Sequence, residues 1–151
     1  QCVEFAQCGV EPLVKLANDL GIEWHLLTDG DESGSIYIQD ARRHFGNRTR
    51  DDRVTQLEGP DVERTFWRHG YQDLYRKAAG VGGENQDGRG KTRSPRWVIG
   101  KAVRNHSKPY LALSAAEAAA DRGPEGVPAS LRRAIQTSLR LARTSIADGR
   151  R

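Results

Sequence analysis

Ile22-Glu23-Trp24-His25-Leu26-Leu27-Thr28-Asp29-Gly30-Asp31-Glu32-Ser33-Gly34 is a largely apolar run that breaks into three acidic residues and two glycines. The apolar part, Ile22–Leu27, reads as a strand. Ser33 and Gly34 open a helix with Ile36, Tyr37 and Ala41 on one face. Upstream, Pro12 suits a first helical turn. Leu13, Leu16, Ala17 and Leu20 then recur at helical spacing and Gly21 supplies a stop. Before that, the alternation in Cys2-Val3-Glu4-Phe5-Ala6 predicts a short strand. Downstream, Arg53–Leu57 predicts another strand and Gly59-Pro60 a turn. Asp61 caps a helix containing Val62, Phe66 and Trp67, and a short helix follows from Tyr71 to Ala78.

Strand, helix, strand, helix, strand in this order predicts an α/β layer built on a small parallel sheet flanked by helices, with right-handed crossovers. Residues 80–95 differ: five glycines are mixed with Asn, Gln and charges. They predict a flexible Gly-rich loop. Three helices are expected beyond it, at Trp97–Asn105, Pro109–Arg122 and Ala129 to Ala147. The expected division is therefore an α/β core over 1–79, a loop over 80–95 and a helical C-terminal segment over 96–151.

A chain of 151 residues suits one domain. It contains no apolar run near the ~20 residues of a membrane helix, and no basic start followed by an apolar core marks a secretory signal. A cytoplasmic setting without a membrane partner is the expectation. Methionine is absent and residue 1 is Gln, so a piece of a longer chain is expected. Cys2 and Cys8 give no disulfide framework and lack the close partners of a zinc site. Reduced thiols packed as small hydrophobes are expected.

Residues 1–123 carry 18 basic and 18 acidic residues, so the net charge of +4 originates in the last segment. Arg132, Arg133, Arg140, Arg143, Arg150 and Arg151 stand there against Glu125 and Asp148. A basic face at one end suits nucleic acid, and Arg132, Arg133 and Arg140 are its candidate DNA contacts. A solvated amphipathic helix is the plainer reading.

In a chain with eleven Asp, an Asp-x-Asp triplet alone carries little information. Its place does, because ligands of open α/β sheets bind beyond the carboxyl ends of strands. Asp29 and Asp31, two apart in extended backbone, project to one side, and Gly30 lets the backbone approach a ligand. Two such carboxylates repel unless they share a cation, and hard oxygen donors suit Mg²⁺ or Mn²⁺. The alternative is a polar turn capping the next helix. Glu63 lies just beyond the strand Arg53–Leu57, where a parallel neighbour would bring it to the same sheet edge and complete a two-metal site. Its alternative is a first-turn residue complementing the helix dipole. Asp61 reads as a cap. Lys108, in Ser107-Lys108-Pro109, could neutralise a phosphate oxygen or be a surface lysine. His25 reads as a strand histidine, and Trp24, Trp67 and Trp97 as core aromatics.

The run from Val3-Glu4-Phe5 through Leu16–Asp31 to Gly34 resembles the TOPRIM domain of OLD-family (overcoming lysogenization defect) nucleases. Asp61-Val62-Glu63 resembles that family's third acidic motif. Ser107-Lys108-Pro109, with the Ala-rich stretch Leu111–Ala120, resembles the segment carrying its downstream lysine. The resemblance spans residue 2 to about 145 and is strongest over 13–34. It implies a TOPRIM-like fold and a Mg²⁺- or Mn²⁺-dependent DNA nuclease with two ions. Asp29, Asp31 and Glu63 would be metal ligands, and Lys108 the catalytic basic group near the scissile phosphate. It also implies an N-terminal ABC-type ATPase domain in the parent chain, so ATP would act only through that domain, and a possible homo-oligomer. The family's acidic motif with Glu and Gly after an earlier strand has no match here. Glu4 lies in a strand and Glu11 at a helix start, so that motif would lie upstream of residue 1.

Two other functions compete. In haloacid-dehalogenase-like phosphatases an Asp-x-Asp also follows a strand, with the first Asp as nucleophile. Here only Asp51-Asp52 would supply the second acidic pair. A non-catalytic DNA-docking or assembly module would use the Arg-bearing last helix.

Overall fold

The computed structural model describes residues 2–5 and 8–148, with side chains described as far as Thr144. Ala6 of the expected first strand, and Arg150 and Arg151 of the basic segment, lie outside the described residues. Two compact units are present. One comprises the residues up to Glu58 together with those from Ala129 onward, and the other is Gly59–Pro128.

The first unit begins with helix α1, Val10–Asp19. The glycine stop is confirmed: Gly21 takes φ +66, and the Ile22 amide donates to the Ala17 carbonyl at 2.8 Å. Strand β1 is Leu26–Thr28 and strand β2 is Val54–Gln56. They pair in parallel, Leu26 opposite Val54 and Thr28 opposite Gln56. Helix α2, Glu32–Arg42, and the single turn α3, Arg50–Arg53, lie between them in the chain. Val10, Val14, Leu26, Ile38, Ala41 and Val54 form the core, with Phe5, Trp24, Tyr37 and Phe45 packed against it. Parallel sheets are stable when covered, and helix α8, Ala129–Asp148, packs against β2. Its buried residues Ser130, Ala134, Thr137 and Leu141 fall on one helical stripe. Glu58 fixes its start by accepting hydrogen bonds from the Ser130 amide and hydroxyl.

The small parallel sheet among helices is as expected, but three details differ. Residues 2–5 form no strand, so the sheet has two strands among the described residues. On α1 the buried pair is Val10 and Val14, whereas Leu16 and Leu20 are exposed. The segment is helical, as its 3.6-residue period predicts, but the core lies toward the Val10–Val14 side. Leu16, Leu20, Val3 and Ile22 instead line an apolar groove of about 450 Å³. The last helix joins the sheet, so the compact units divide near residues 58 and 128 instead of at the 80–95 loop.

The second unit contains α4 (Val62–Arg68), α5 (Gln72–Ala79), α6 (Pro95–Asn105) and α7 (Lys108–Asp121). The helix starts follow local chemistry. Asp61, Ser94 and Ser107 each accept a hydrogen bond from an amide in the first turn, and Pro95 and Pro109 occupy positions that need no donor. Ala79 and Ala102, both fully buried, allow α5 and α6 to pack closely. Phe66 and Tyr71 meet edge to face at 5.1 Å, and the Tyr71 hydroxyl donates to the Gly126 carbonyl at 2.6 Å. Within the expected loop 80–95, Asp87 gathers the amides of Arg89 and Lys91 and the Arg93 guanidinium. The Lys91 amide bond, first among these, holds its carboxyl below the usual range.

Candidate functional site

The acidic loop belongs to the first unit. β1 ends at Thr28, whose carbonyl accepts the Leu57 amide at 2.9 Å, extending the ladder to the loop's edge. Asp29, Gly30 and Asp31 follow, all exposed. Asp31 is the N-cap of α2: its Oδ1 accepts the Gly34 amide at 2.8 Å, and its carbonyl accepts the Ser35 amide at 3.1 Å. Capping is thus one role of Asp31 and engages one carboxylate oxygen. The Gln56 amide group from β2 reaches the Asp29 carbonyl at 3.3 Å and the Ser35 hydroxyl at 3.3 Å, tying the loop to the neighbouring strand. Buried Gly34 sits directly beneath: an added Cβ would lie 2.0 Å from the Asp29 carbonyl oxygen. The loop is held by three means, strand end, helix cap and glycine floor. The Thr28 hydroxyl under it is buried without a hydrogen-bond partner.

Glu63 and Lys108 belong to the second unit. Glu63 occupies the first turn of α4, after the Asp61 cap, which accepts from the Arg64 amide at 2.7 Å and pairs with its guanidinium. Lys108 opens α7 and its Nζ stands 3.4 Å from Glu63 Oε1. Glu63 is only 12% exposed and Lys108 70%. The fold brings these two together although 44 residues separate them in the chain. Nearby Tyr75 is buried, and burial, then the charges of Glu63 and Asp61, push its hydroxyl pKa upward. Asp29 and Asp31 stand together in one unit, and Glu63 and Lys108 in the other.

The basic helix is largely self-neutralised. Arg133 Nη2 lies 2.9 Å from Asp51 Oδ1, and Arg140 pairs with Asp52. The Arg140 hydrogen bond, then that of Thr49, holds the Asp52 carboxyl below its usual range. Arg132 also has interactions of its own. His25, expected within the strand, stands just before β1 and is half-buried. Its Nδ1 lies 2.9 Å from the Asp52 carbonyl and its Nε2 2.9 Å from the Thr55 hydroxyl. A carbonyl only accepts, so Nδ1 carries the proton and Nε2 accepts from Thr55. Burial is the main cause lowering its pKa, with Arg133, Arg140 and Arg53 adding to it against the Asp52 bond. The three tryptophans are half-buried rather than fully internal, and each carries a cation: Arg53 over Trp24, Arg76 over Trp67, Arg93 and Lys101 over Trp97. Their faces stack on guanidinium and ammonium groups, a pairing not foreseen from sequence.

Cys2 and Cys8 are exposed free thiols, not packed hydrophobes. Among the described residues no group of three or more His, Cys, Asp or Glu side chains is arranged to hold a metal ion. The loop donors are hard oxygens of the right kind, on a backbone cradle that a Cβ at Gly34 would fill. Carboxylate oxygens are the donor type a hard divalent cation takes, and one of those of Asp31 is engaged by the Gly34 amide.

A protein of Escherichia coli (strain K12), "Uncharacterized protein YbjD", is 38% identical over 143 residues, covering 93% of this chain and 25% of its own length. The chain thus spans about a quarter of the length of the curated relative it matches. No family model matches the chain. No solved structure matches it.

Proposed function

We propose that the chain forms part of a metal-dependent DNA nuclease of the TOPRIM type, in a longer OLD-family protein acting in the cytoplasm. The observation that carries this reading is the acidic loop. Asp29 and Asp31 emerge from the carboxyl end of a strand in a parallel pair, where ligands of such sheets bind. A glycine at residue 34 is required for that loop to seat.

Asp29 and Asp31 would hold Mg²⁺ or Mn²⁺ in the first unit, Glu63 is a proposed metal ligand within the second, and the TOPRIM reading calls for two ions. Bound there, the metal supplies Lewis-acid stabilisation of phosphate oxygens and lowers the pKa of bound water. Lys108 would offset charge on the phosphate, and the 3.4 Å contact with Glu63 supports a place beside an acidic ligand. Phosphate contacts carry no sequence information, so specificity would lie elsewhere. DNA is the proposed partner, ATP would act through an ABC-type ATPase domain outside this chain, and assembly would be homo-oligomeric.

A non-catalytic DNA-docking or assembly module is the second reading. It is favoured by the absence of a three-donor group among the described residues. The phosphatase reading loses support, because Asp51 and Asp52 sit in α3 before β2 and each already pairs with an arginine.

Calorimetric titration of Mn²⁺ tests the proposal. Binding by the chain that disappears in Asp29→Ala/Asp31→Ala supports the metal site and directs cleavage assays to the longer protein. Equal binding by the double variant would sink the assignment of these two ligands.

A further inference from the structure

We infer that the second unit carries a groove that binds the phosphate backbone of duplex DNA, centred on Arg96 and Arg104. This rests on the DNA-nuclease reading for the identity of the polyanion. The groove has a volume of about 600 Å³ and runs along α6 to the start of α7. Its cations are Arg64, Arg96, Arg104 and Lys108, and its acids are Asp61 and Glu63.

The charges in the groove are unevenly matched. Asp61 pairs with Arg64, and Glu63 with Lys108. Arg96 and Arg104 are exposed and have no acidic partner among the described residues. They are eight residues apart on one helix, about 12 Å along its axis at 1.5 Å per residue. Gly100 lies between them, and the Arg104 Nη1 passes 3.5 Å from where a Cβ on it would stand, an ordinary contact distance. A cationic track of that length matches about three or four steps of one DNA strand at about 3.4 Å each.

A second observation points the same way. Helix N-termini favour acidic residues, because the macrodipole is positive there. α6 and α7 have no acidic residue in the first turn. Arg96 and Lys108 stand there instead, and both face this groove. α7 starts beyond the C-terminal end of α6, about 15 Å from the α6 N-terminus, and Lys108 has Glu63 beside it. At the α6 N-terminus Arg96 stands against the dipole without an acidic partner among the described residues, a cost that a bound phosphate would offset. Sequences break a local rule of this kind mainly at functional sites. The candidate DNA contacts on α8 show the opposite: Arg133 and Arg140 are already paired.

The test is fluorescence anisotropy of a labelled, mixed-sequence duplex about two helical turns long. The 151-residue chain is titrated in EDTA from about 50 to about 200 mM salt. EDTA removes the metal, so the outcome is independent of the Mn²⁺ titration that tests the nuclease reading. Arg96→Ala/Arg104→Ala is expected to weaken binding about tenfold or more at low salt, and to reduce the salt slope by about 1.8. Arg96→Lys/Arg104→Lys should restore most of both. Arg42→Ala/Arg43→Ala, an equal charge loss at the end of α2, should leave the slope nearly unchanged. Circular dichroism checks that each variant is folded. The inference is overturned if the alanine variant keeps wild-type affinity and slope, or if the wild type does not bind duplex. It is equally overturned if poly-glutamate or single-stranded RNA binds more tightly than duplex, which would make the groove an acidic-protein or RNA surface.

Discussion

A Cβ on Gly34 would stand 2.0 Å from the carbonyl oxygen of Asp29. Real side-chain carbons do not come that close to backbone, so this close approach, together with the Asp31 cap, couples α2 to the acidic loop. Gly34→Ala is expected to push the loop off the helix. The cost should be about 2–3 kcal/mol in urea unfolding, the upper part of the usual range for overpacking. Under the metal-site proposal Mn²⁺ affinity should fall with it, because both carboxylates ride on the displaced backbone. Wild-type stability in this variant would show that the loop relaxes freely.

Asp31 has a demonstrated role as a cap and a proposed role as a ligand, and substitution separates them. Ser caps as well as Asp but carries no charge. Asp31→Ser is expected to keep stability within about 0.5 kcal/mol, whereas Asp31→Ala loses about 1 kcal/mol. Both should lose Mn²⁺ binding by calorimetry. If Asp31→Ser binds Mn²⁺ as the wild type does, Asp31 only caps.

The arrangement around Asp31 was readable because it is local. A strand, a glycine, a cap and a helix follow one another within thirteen residues, and each signal acts on its neighbours. The cap at Asp61 was legible for the same reason, whereas α6 and α7 start at Pro95 and Lys108, two residues and one residue before the expected Trp97 and Pro109, behind the caps Ser94 and Ser107. What depends on distant partners was not. Helical spacing showed that α1 has an apolar side but not that Val10 and Val14 would take the core and leave Leu16 exposed. Nor could spacing show that Arg140 would find Asp52, 88 residues away. The basic C-terminal segment reads as a solvated helix or a nucleic-acid face, and spacing does not show that Arg133 and Arg140 pair with Asp51 and Asp52. The cations of α6 lie in a stretch, residues 88–116, with seven basic and no acidic residues, which the balanced total over 1–123 conceals.

The Arg140–Asp52 pair makes a prediction of its own. A carboxyl with a lowered pKa stabilises the fold above its unfolded pKa, and that stability is lost as pH falls through the folded value. Arg140→Ala should therefore cost about 0.2–1 kcal/mol near pH 7, the range for a largely exposed pair. The difference should vanish in acid, once Asp52 is protonated in both proteins, and should shrink in salt. Urea titrations at two pH values and two salt concentrations measure it. A constant difference across all four conditions would mean that Arg140 contributes packing instead of charge.

Glu63 and Lys108 yield a charge-specific prediction. Lys108→Met keeps the length of the side chain and removes its charge, leaving the largely buried Glu63 without its cation. Because Lys108 is itself exposed, the stability cost should stay below about 1 kcal/mol. Under the nuclease reading, DNA cleavage by the full-length protein should fall by at least about a hundredfold, in keeping with the loss of one electrostatic group at a reacting phosphate. Unchanged cleavage would remove Lys108 from the site while leaving the ion pair as a structural feature.

His25 is expected to make the fold acid-sensitive before its carboxylates titrate. Its ring spans two fixed partners as the neutral tautomer, Nδ1–H to the Asp52 carbonyl and Nε2 to the Thr55 hydroxyl. Protonation would put a second donor against Thr55 and a charge in a half-buried site near Arg53, Arg133 and Arg140, the causes that lower its pKa after burial. The unfolded chain protonates near the ordinary value of 6.5, so below that pH it binds more protons than the folded chain. Stability should fall as pH drops from above 6.5 toward the lower folded value, and level off beneath it. His25→Gln offers polar groups to the same partners without a titration in that range. Its melting temperature should be lower near pH 7.5 but change less between pH 7.5 and 5.5 than that of the wild type. Parallel curves for the two proteins would show that another group carries the acid sensitivity, and that the His25 ring accepts its proton where it stands.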